Sequence, residues 1–256
     1  MSAALALALL LAVLIGVSLG TLGSGGSIIA MPVLVYVAGI PAHTAVGMSL
    51  VIVGTAAAAG SYLQSRSGGF HRRAAAIFAA TGAAGAFGGA RLTHLVTGNT
   101  LMTIFALLML AAGWRMLVPG TTRLAHGACS VPRCSGVGFA VGVLTGFLGI
   151  GGGFLIMPAL VFAAGLDMKS AVPTSLAVIA FNSAGGLAGQ LRYVSFDWPL
   201  TLAFLASALT GMVYGSMLTR RASAEGLRRG FAWAVIALGV AILASQVLAR
   251  TGLLKR

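Results

Sequence analysis

Ten apolar stretches, parted by short runs of glycine, proline and polar residues, take up most of this chain. They cover approximately 2–19, 28–40, 45–63, 74–97, 100–118, 136–149, 154–166, 171–191, 198–219 and 231–249. A helix needs about 20 residues to cross the hydrocarbon of a bilayer, so the pattern predicts an all-α integral membrane protein. The stretches 28–40 and 154–166 are short for a full crossing and predict partial or re-entrant helices. The total is then eight to ten membrane segments.

The pattern repeats. Sliding the sequence against itself by 126 residues matches 17 of the 41 positions from 20 to 60 without a gap. The same offset pairs Gly16 with Gly142, Gln64 with Gln190, Arg66 with Arg192, Phe78 with Phe204, Gly85 with Gly211, Gly89 with Gly215 and Gly113 with Gly239. The chain reads as two five-segment units, 1–118 and 135–256, joined by a polar linker at 119–134 within VPGTTRLAHGACSVPRCS. Five crossings per unit invert the second copy relative to the first, whereas four crossings plus a re-entrant loop leave the copies parallel. The basic loop RRASAEGLRR then falls inside and the uncharged N-terminus outside, which favours inversion. Internal duplication of this kind is the usual build of secondary transporters.

Composition sharpens the picture. The chain is 59% hydrophobic and 7% charged, where a soluble domain carries roughly a quarter charged residues. Its net charge of +13 comes from sixteen Lys and Arg against Asp167, Asp197 and Glu225, nearly all at segment ends. That distribution is a topology and headgroup signal rather than a nucleic-acid footprint, since no polar domain carries a basic face. The first stretch has no leading Lys or Arg and no small-residue cleavage site before a polar sequence, so it is expected to remain in the protein. Cys129 and Cys134, with His126 nearby, match no zinc spacing and are expected to be reduced loop thiols. No cofactor or metal is implied.

Two repeated elements carry candidate chemistry. GTLGSGGSIIAMPVL (20–34) and GFLGIGGGFLIMPAL (146–160) each break an apolar run with glycines before restarting it toward a proline. In lipid an unpaired backbone group is costly, so irregular backbone at membrane depth survives only where protein buries it or it lines a wet cavity. A helix restarting after such a break offers free N–H groups and a positive dipole end, an anion site. Gly25, Gly26 and Ser27 in the first copy, and Gly151, Gly152 and Gly153 in the second, are candidate substrate contacts. Facing breaks would wrap a small oxyanion from both sides. The second element, AVGMSL (45–50) and AVPTSL (171–176), places Ser49, Thr174 and Ser175 at helix starts, where they either meet substrate or bond back to their own helix.

Asn182, an amide amid apolar residues, needs a cavity or a helix partner. Gln64 and Gln190 at segment ends, and His43 with Lys169 before the second element, are further polar candidates. Arg91 is expected to snorkel. The glycine pairs Gly16 and Gly20, Gly85 and Gly89, and Gly211 and Gly215 read as close helix packing.

With both doubled elements in view, the chain resembles the TauE/SafE family of sulfite and organosulfonate exporters over nearly its whole length. The second copy, GIGGGFLIMPAL with AVPTSLAVI, is the more typical; the first departs at Ser27 and at Gly47–Met48, so the second half is expected to dominate ligand binding. The resemblance implies a multi-pass protein of a bacterial inner membrane that exports sulfite, sulfoacetate or a related sulfonate. Alternating access driven by the membrane potential is the expected mechanism, since no carboxylate or histidine stands deep in a segment to carry a proton. An anion channel, or a carrier for another small anion, is the competing reading. An intramembrane hydrolase with Ser24 as nucleophile lacks a base. The expected partners are a small anion, membrane lipid and, as an open alternative, further copies of the chain; no nucleic acid is expected.

Overall fold

The computed structural model describes residues 3–23, 25–65, 69–117, 130–148, 153–191, 196–219 and 224–250. Each of the ten apolar stretches becomes one helix. They are α1 (Ala3–Leu22), α2 (Gly25–Pro32), α3 (Ala42–Ser65), α4 (Arg72–Leu92), α5 (Gly98–Leu117), α6 (Val131–Leu148), α7 (Gly153–Ala163), α8 (Met168–Gln190), α9 (Trp198–Thr219) and α10 (Ala224–Arg250). No strand occurs among the described residues. The spans Ala42–Ser65, Val131–Leu148, Lys169–Gln190 and Trp198–Leu218 are long and apolar enough to cross a membrane, and Ala6–Thr21 and Val235–Gln246 are shorter apolar helices.

The short helices are α2 and α7. Proline inside each, Pro32 and Pro158, removes an N–H and frees a carbonyl one turn back. After Pro32 the helix widens into a π-turn, Val33–Val37, closed by the Ala38 N–H on the Val33 carbonyl at 3.0 Å. Both helices end alike. The Ile40 N–H reaches the Leu34 carbonyl at 3.0 Å, and the Leu166 N–H reaches the Leu160 carbonyl at 3.2 Å. Gly39 and Gly165 sit between donor and acceptor at φ +70° and +68°, left-handed values that favour glycine at a helix C-terminus. Donors, acceptors and glycines are all related by the offset of 126.

The main interfaces pair a helix of the first half with one of the second: α1 on α9, α4 on α6 and α8, α3 on α8, and α5 on α10. Glycine makes two of them possible. A β-carbon on Gly16 would collide with the Ala208 carbonyl, one on Gly20 with Met212 and Ser216, and those on Gly211 and Gly215 with the carbonyls of Val13 and Val17. Across the molecule, Gly85 and Gly89 meet Phe139 and Val143, while Gly142 and Gly146 meet the carbonyls of Gly82 and Ala86. The glycine pairs are the backbone-to-backbone packing faces that their spacing suggested, and contacts advancing in step make α1 parallel to α9 and α4 parallel to α6. Along α3 and α8 they run oppositely: Gly60 meets Leu176, Gly54 meets Ser183, and Gly186 meets Leu50. The helices α2 and α7 touch each other inside this frame, reached also by α10 and α5.

The surface is apolar. Trp114, Trp198, Trp233, Tyr62 and Tyr214 are all more than half exposed, an arrangement suited to lipid and its interfaces rather than to water. Arg91 closes α4 with its guanidinium 4.3 Å from the Phe87 ring centre, at the helix end where snorkelling was expected. Cys134 corrects an expectation: it is buried and disulfide-bonded rather than a reduced loop thiol, a matter of spatial proximity that spacing does not encode. Cys129 lies outside the described residues.

Candidate functional site

The first glycine break begins where α1 stops. Gly23 turns to φ +69°, its N–H still on the Leu19 carbonyl at 2.9 Å. A β-carbon there would stand 2.8 Å from Ser175 Oγ and 2.9 Å from Val172, so the chain passes α8 at a distance only glycine allows. Ser175 fixes the contact, donating to the Val172 carbonyl at 2.9 Å and lying 3.2 Å from the Gly23 carbonyl. The glycine break of the first half is thus docked on the helix start of the second.

The remaining candidates divide. Gly25 begins α2, Gly26 packs on Ile15 and Leu19, and Ser27 is buried one turn in. Gly153 begins α7, whereas Gly151 and Gly152 lie outside the described residues, as does Ser24. Ser49 donates to the Val46 carbonyl at 2.9 Å, and Thr174 donates to the Ser170 carbonyl at 2.7 Å while receiving the His71 N–H at 3.2 Å. All these hydroxyls are buried. Their protons serve backbone carbonyls, which is the back-bonding alternative that helix-start Ser and Thr offered. The first-turn amides of α2 and α7, like those of any helix start, have no carbonyl acceptor within their own helix.

Asn182 sits midway along α8, 1% exposed, against Gly82 of α4, where a β-carbon would collide with its amide oxygen. Its Oδ1 has no hydrogen-bond partner, and neither has Ser183 Oγ, which faces Gly54. Asn182 therefore lies in the α4–α8 seam and is not brought to the Gly23 contact.

Gln64 and Gln190 brace the helix ends that the breaks create. Gln64 Nε2 donates to the Gly20 carbonyl at 2.8 Å. Gln190 acts through an intermediary: its Nε2 meets Thr93 Oγ1 at 3.2 Å, and Thr93 donates to the Phe147 carbonyl at 2.8 Å. Both relieve C-terminal carbonyls that a stopped helix leaves unpaired. Sequence reading missed Thr93, although the offset pairs it with Thr219.

These contacts also fix where the two helix ends lie. The end of α1 meets α8 at Val172 and Ser175, while the end of α6 meets it at Gly186, where a β-carbon would lie 3.8 Å from Gly146, and is linked through Thr93 to Gln190. Eleven residues from Ser175 to Gly186 span about 16 Å at 1.5 Å per residue. The ends stand in series along α8 rather than face to face.

Charge is confined to the ends of the bundle. Asp167 caps α8 through the Ser170 N–H at 3.4 Å, Asp197 takes the Leu200 N–H at 3.2 Å at the start of α9, and Glu225 pairs with Arg229 in the first turn of α10. These are the only acids of the chain, so its interior holds no negative charge to repel an anion. Lys169 is exposed beside Asp167, and His43 lies at the matching start of α3. Among the described residues no three His, Cys, Asp or Glu side chains converge.

Comparison with known proteins agrees with this architecture. The family model described as sulfite exporter TauE/SafE matches residues 8–242. A probable membrane transporter protein of Xylella fastidiosa strain Temecula1 is 37% identical over 241 residues, covering 90% of this chain and 91% of its own. The probable membrane transporter protein YdhB of Bacillus subtilis is 27% identical over 219 residues, covering 83% of this chain and 89% of its own. No solved structure matches. The glycine break of the first half, docked on a helix start of the second, is thus a feature of a membrane transporter, and the chain belongs to the sulfite exporter TauE/SafE family.

Proposed function

We propose that this transporter exports a small sulfur-containing oxyanion, sulfite, sulfoacetate or a related sulfonate, by alternating access across a bacterial inner membrane. The observation that carries the reading is the Ser175–Gly23 contact, which joins the glycine break of one half to a helix start of the other. Relative movement of the two halves at this seam would uncover the first-turn amides of α2, with the corresponding turn of α7 near the other end. Gly25, Gly26 and Ser27 at one end, and Gly151, Gly152 and Gly153 at the other, would replace water around the anion in turn as it passes. Rotation of Ser49, Thr174 and Ser175 off their carbonyls would add donors, and Asn182 would contribute from the α8 seam. The inverted reading of the two five-segment units is supported by the antiparallel run of α3 against α8.

The membrane potential suffices as driving force. A monovalent anion leaving a cell gains about 2.3 kcal/mol at 100 mV, roughly a fiftyfold gradient at 1.36 kcal/mol per decade. Flux of radiolabelled sulfite in proteoliposomes should rise with an imposed potential, saturate with substrate and show counterflow; a non-saturating current would identify a channel. Transport indifferent to potential but abolished by collapsing a sodium or proton gradient would reject the uncoupled mechanism. Gly152→Val should insert normally and lose flux, and full activity would remove the second break from the path.

A further inference from the structure

Two grooves on one flank of the bundle have no role in the transport reading. The larger, about 940 Å³, runs between α3 and α8 past Ala58, Ala180 and Ala184. The smaller, about 420 Å³, runs between α4 and α8 past Ala76, Ala80 and Ala83. Phe70, Arg72, Ala177 and Phe181 line both, and Phe181, 59% exposed, stands between them as a divider. Below Arg72 the smaller groove is almost wholly alanine and phenylalanine, while the larger adds Ser61, Tyr62 and Ser65 near its mouth.

Depth and charge select the occupant. The mouth lies where α3 ends at Ser65, α4 begins at Arg72 and the His71 N–H meets Thr174 in the second turn of α8. From Thr174 to Ala184 is ten residues, about 15 Å of helix, half of the ~30 Å hydrocarbon core and so one leaflet deep. Among the described residues no carboxylate pairs with Arg72, and Arg73 is exposed beside it, both at the positive end of the α4 dipole. No acid lines either groove, and the chain has only three, so a second copy offers little negative charge to this mouth. A lipid phosphate supplies it.

We propose that the twin grooves hold one anionic phospholipid, its phosphate on Arg72 and its two acyl tails divided by Phe181. Native mass spectrometry of the detergent-purified chain with added phosphatidylglycerol tests this. One bound lipid per chain is expected, with at least tenfold preference over phosphatidylcholine and weaker binding of the single-tailed lyso form. Arg72→Gln should lower the affinity at least tenfold, and Arg91→Gln, at a helix end outside the grooves, should leave it unchanged. Ala177→Leu, which narrows both grooves without touching the charge, should weaken binding in a protein whose melting temperature shows it folded. Equal binding by Arg72→Gln, equal affinity for phosphatidylcholine, displacement by inorganic phosphate or sulfite, or a lipid-free dimer buried on this face would each overturn the proposal.

Discussion

At the scale of single residues, space rather than conformation decides most of the glycines. A β-carbon on Gly142 would run into the Gly82 backbone, whereas at Gly88, on the same α4 as Gly85 and Gly89, one would meet nothing within 4 Å. Overpacking typically costs about 1–3 kcal/mol, and replacing a free helical glycine by alanine gains up to about 1 kcal/mol. Gly142→Ala should therefore lower the melting temperature in detergent while Gly88→Ala leaves it level or raises it; the reverse order would mean that the α4–α6 seam is looser than the packing indicates. Spacing exposed the role of Gly85 and Gly89. It could not separate Gly88 from them, because which side of a helix faces a neighbour is set by that neighbour.

Among elements, the helices that stop short are held by side chains from distant parts of the chain, and the two stops are braced differently. Gln64 reaches the Gly20 carbonyl directly, so Gln64→Leu removes a buried hydrogen bond, an effect of about 0.5–1.5 kcal/mol. At the other stop Thr93 caps Phe147 by itself, and Gln190 only supports Thr93. Gln190→Leu should accordingly destabilise less than Gln64→Leu, and Thr93→Val more than Gln190→Leu, as read by thermal unfolding in detergent. Equal effects of the two glutamine variants would show that the stops do not depend on these bonds. The offset marked both glutamines as a pair, but their partners, a carbonyl 44 residues away and a threonine 97 residues away, lie beyond any local pattern.

For the whole molecule, orientation is the property with the widest consequence. If the two units are inverted, the end of α3 and the start of α10 share one side of the membrane and the α4–α5 connection lies on the other. Single cysteines at the exposed positions Ser65, Glu225 and Thr97, in a background with Cys129→Ser and Cys134→Ser, report this directly. An impermeant thiol reagent should label Ser65→Cys and Glu225→Cys from one side and Thr97→Cys from the opposite side; labelling of Glu225→Cys from the same side as Thr97→Cys, opposite Ser65→Cys, excludes the inverted arrangement. Counting Lys and Arg in the loops barely separates the two orientations, whereas the antiparallel contacts of α3 and α8 support the inverted one.

The sequence by itself determined that the chain is helical, apolar and doubled, and where its helices break, because hydrophobic runs, glycine clusters and proline act locally on the backbone. It also marked Gly16 with Gly20, Gly85 with Gly89 and Gly211 with Gly215 as close-approach faces, though not which neighbouring glycine, such as Gly88, stays open. Only the tertiary structure decided what each face meets: that Gly23 lies on Ser175, that Asn182 is set against Gly82, and that the ends of α1 and α6 stand in series along α8. Those facts depend on pairings between residues up to 152 positions apart, and such pairings follow from how whole helices share space, which no stretch of sequence carries alone.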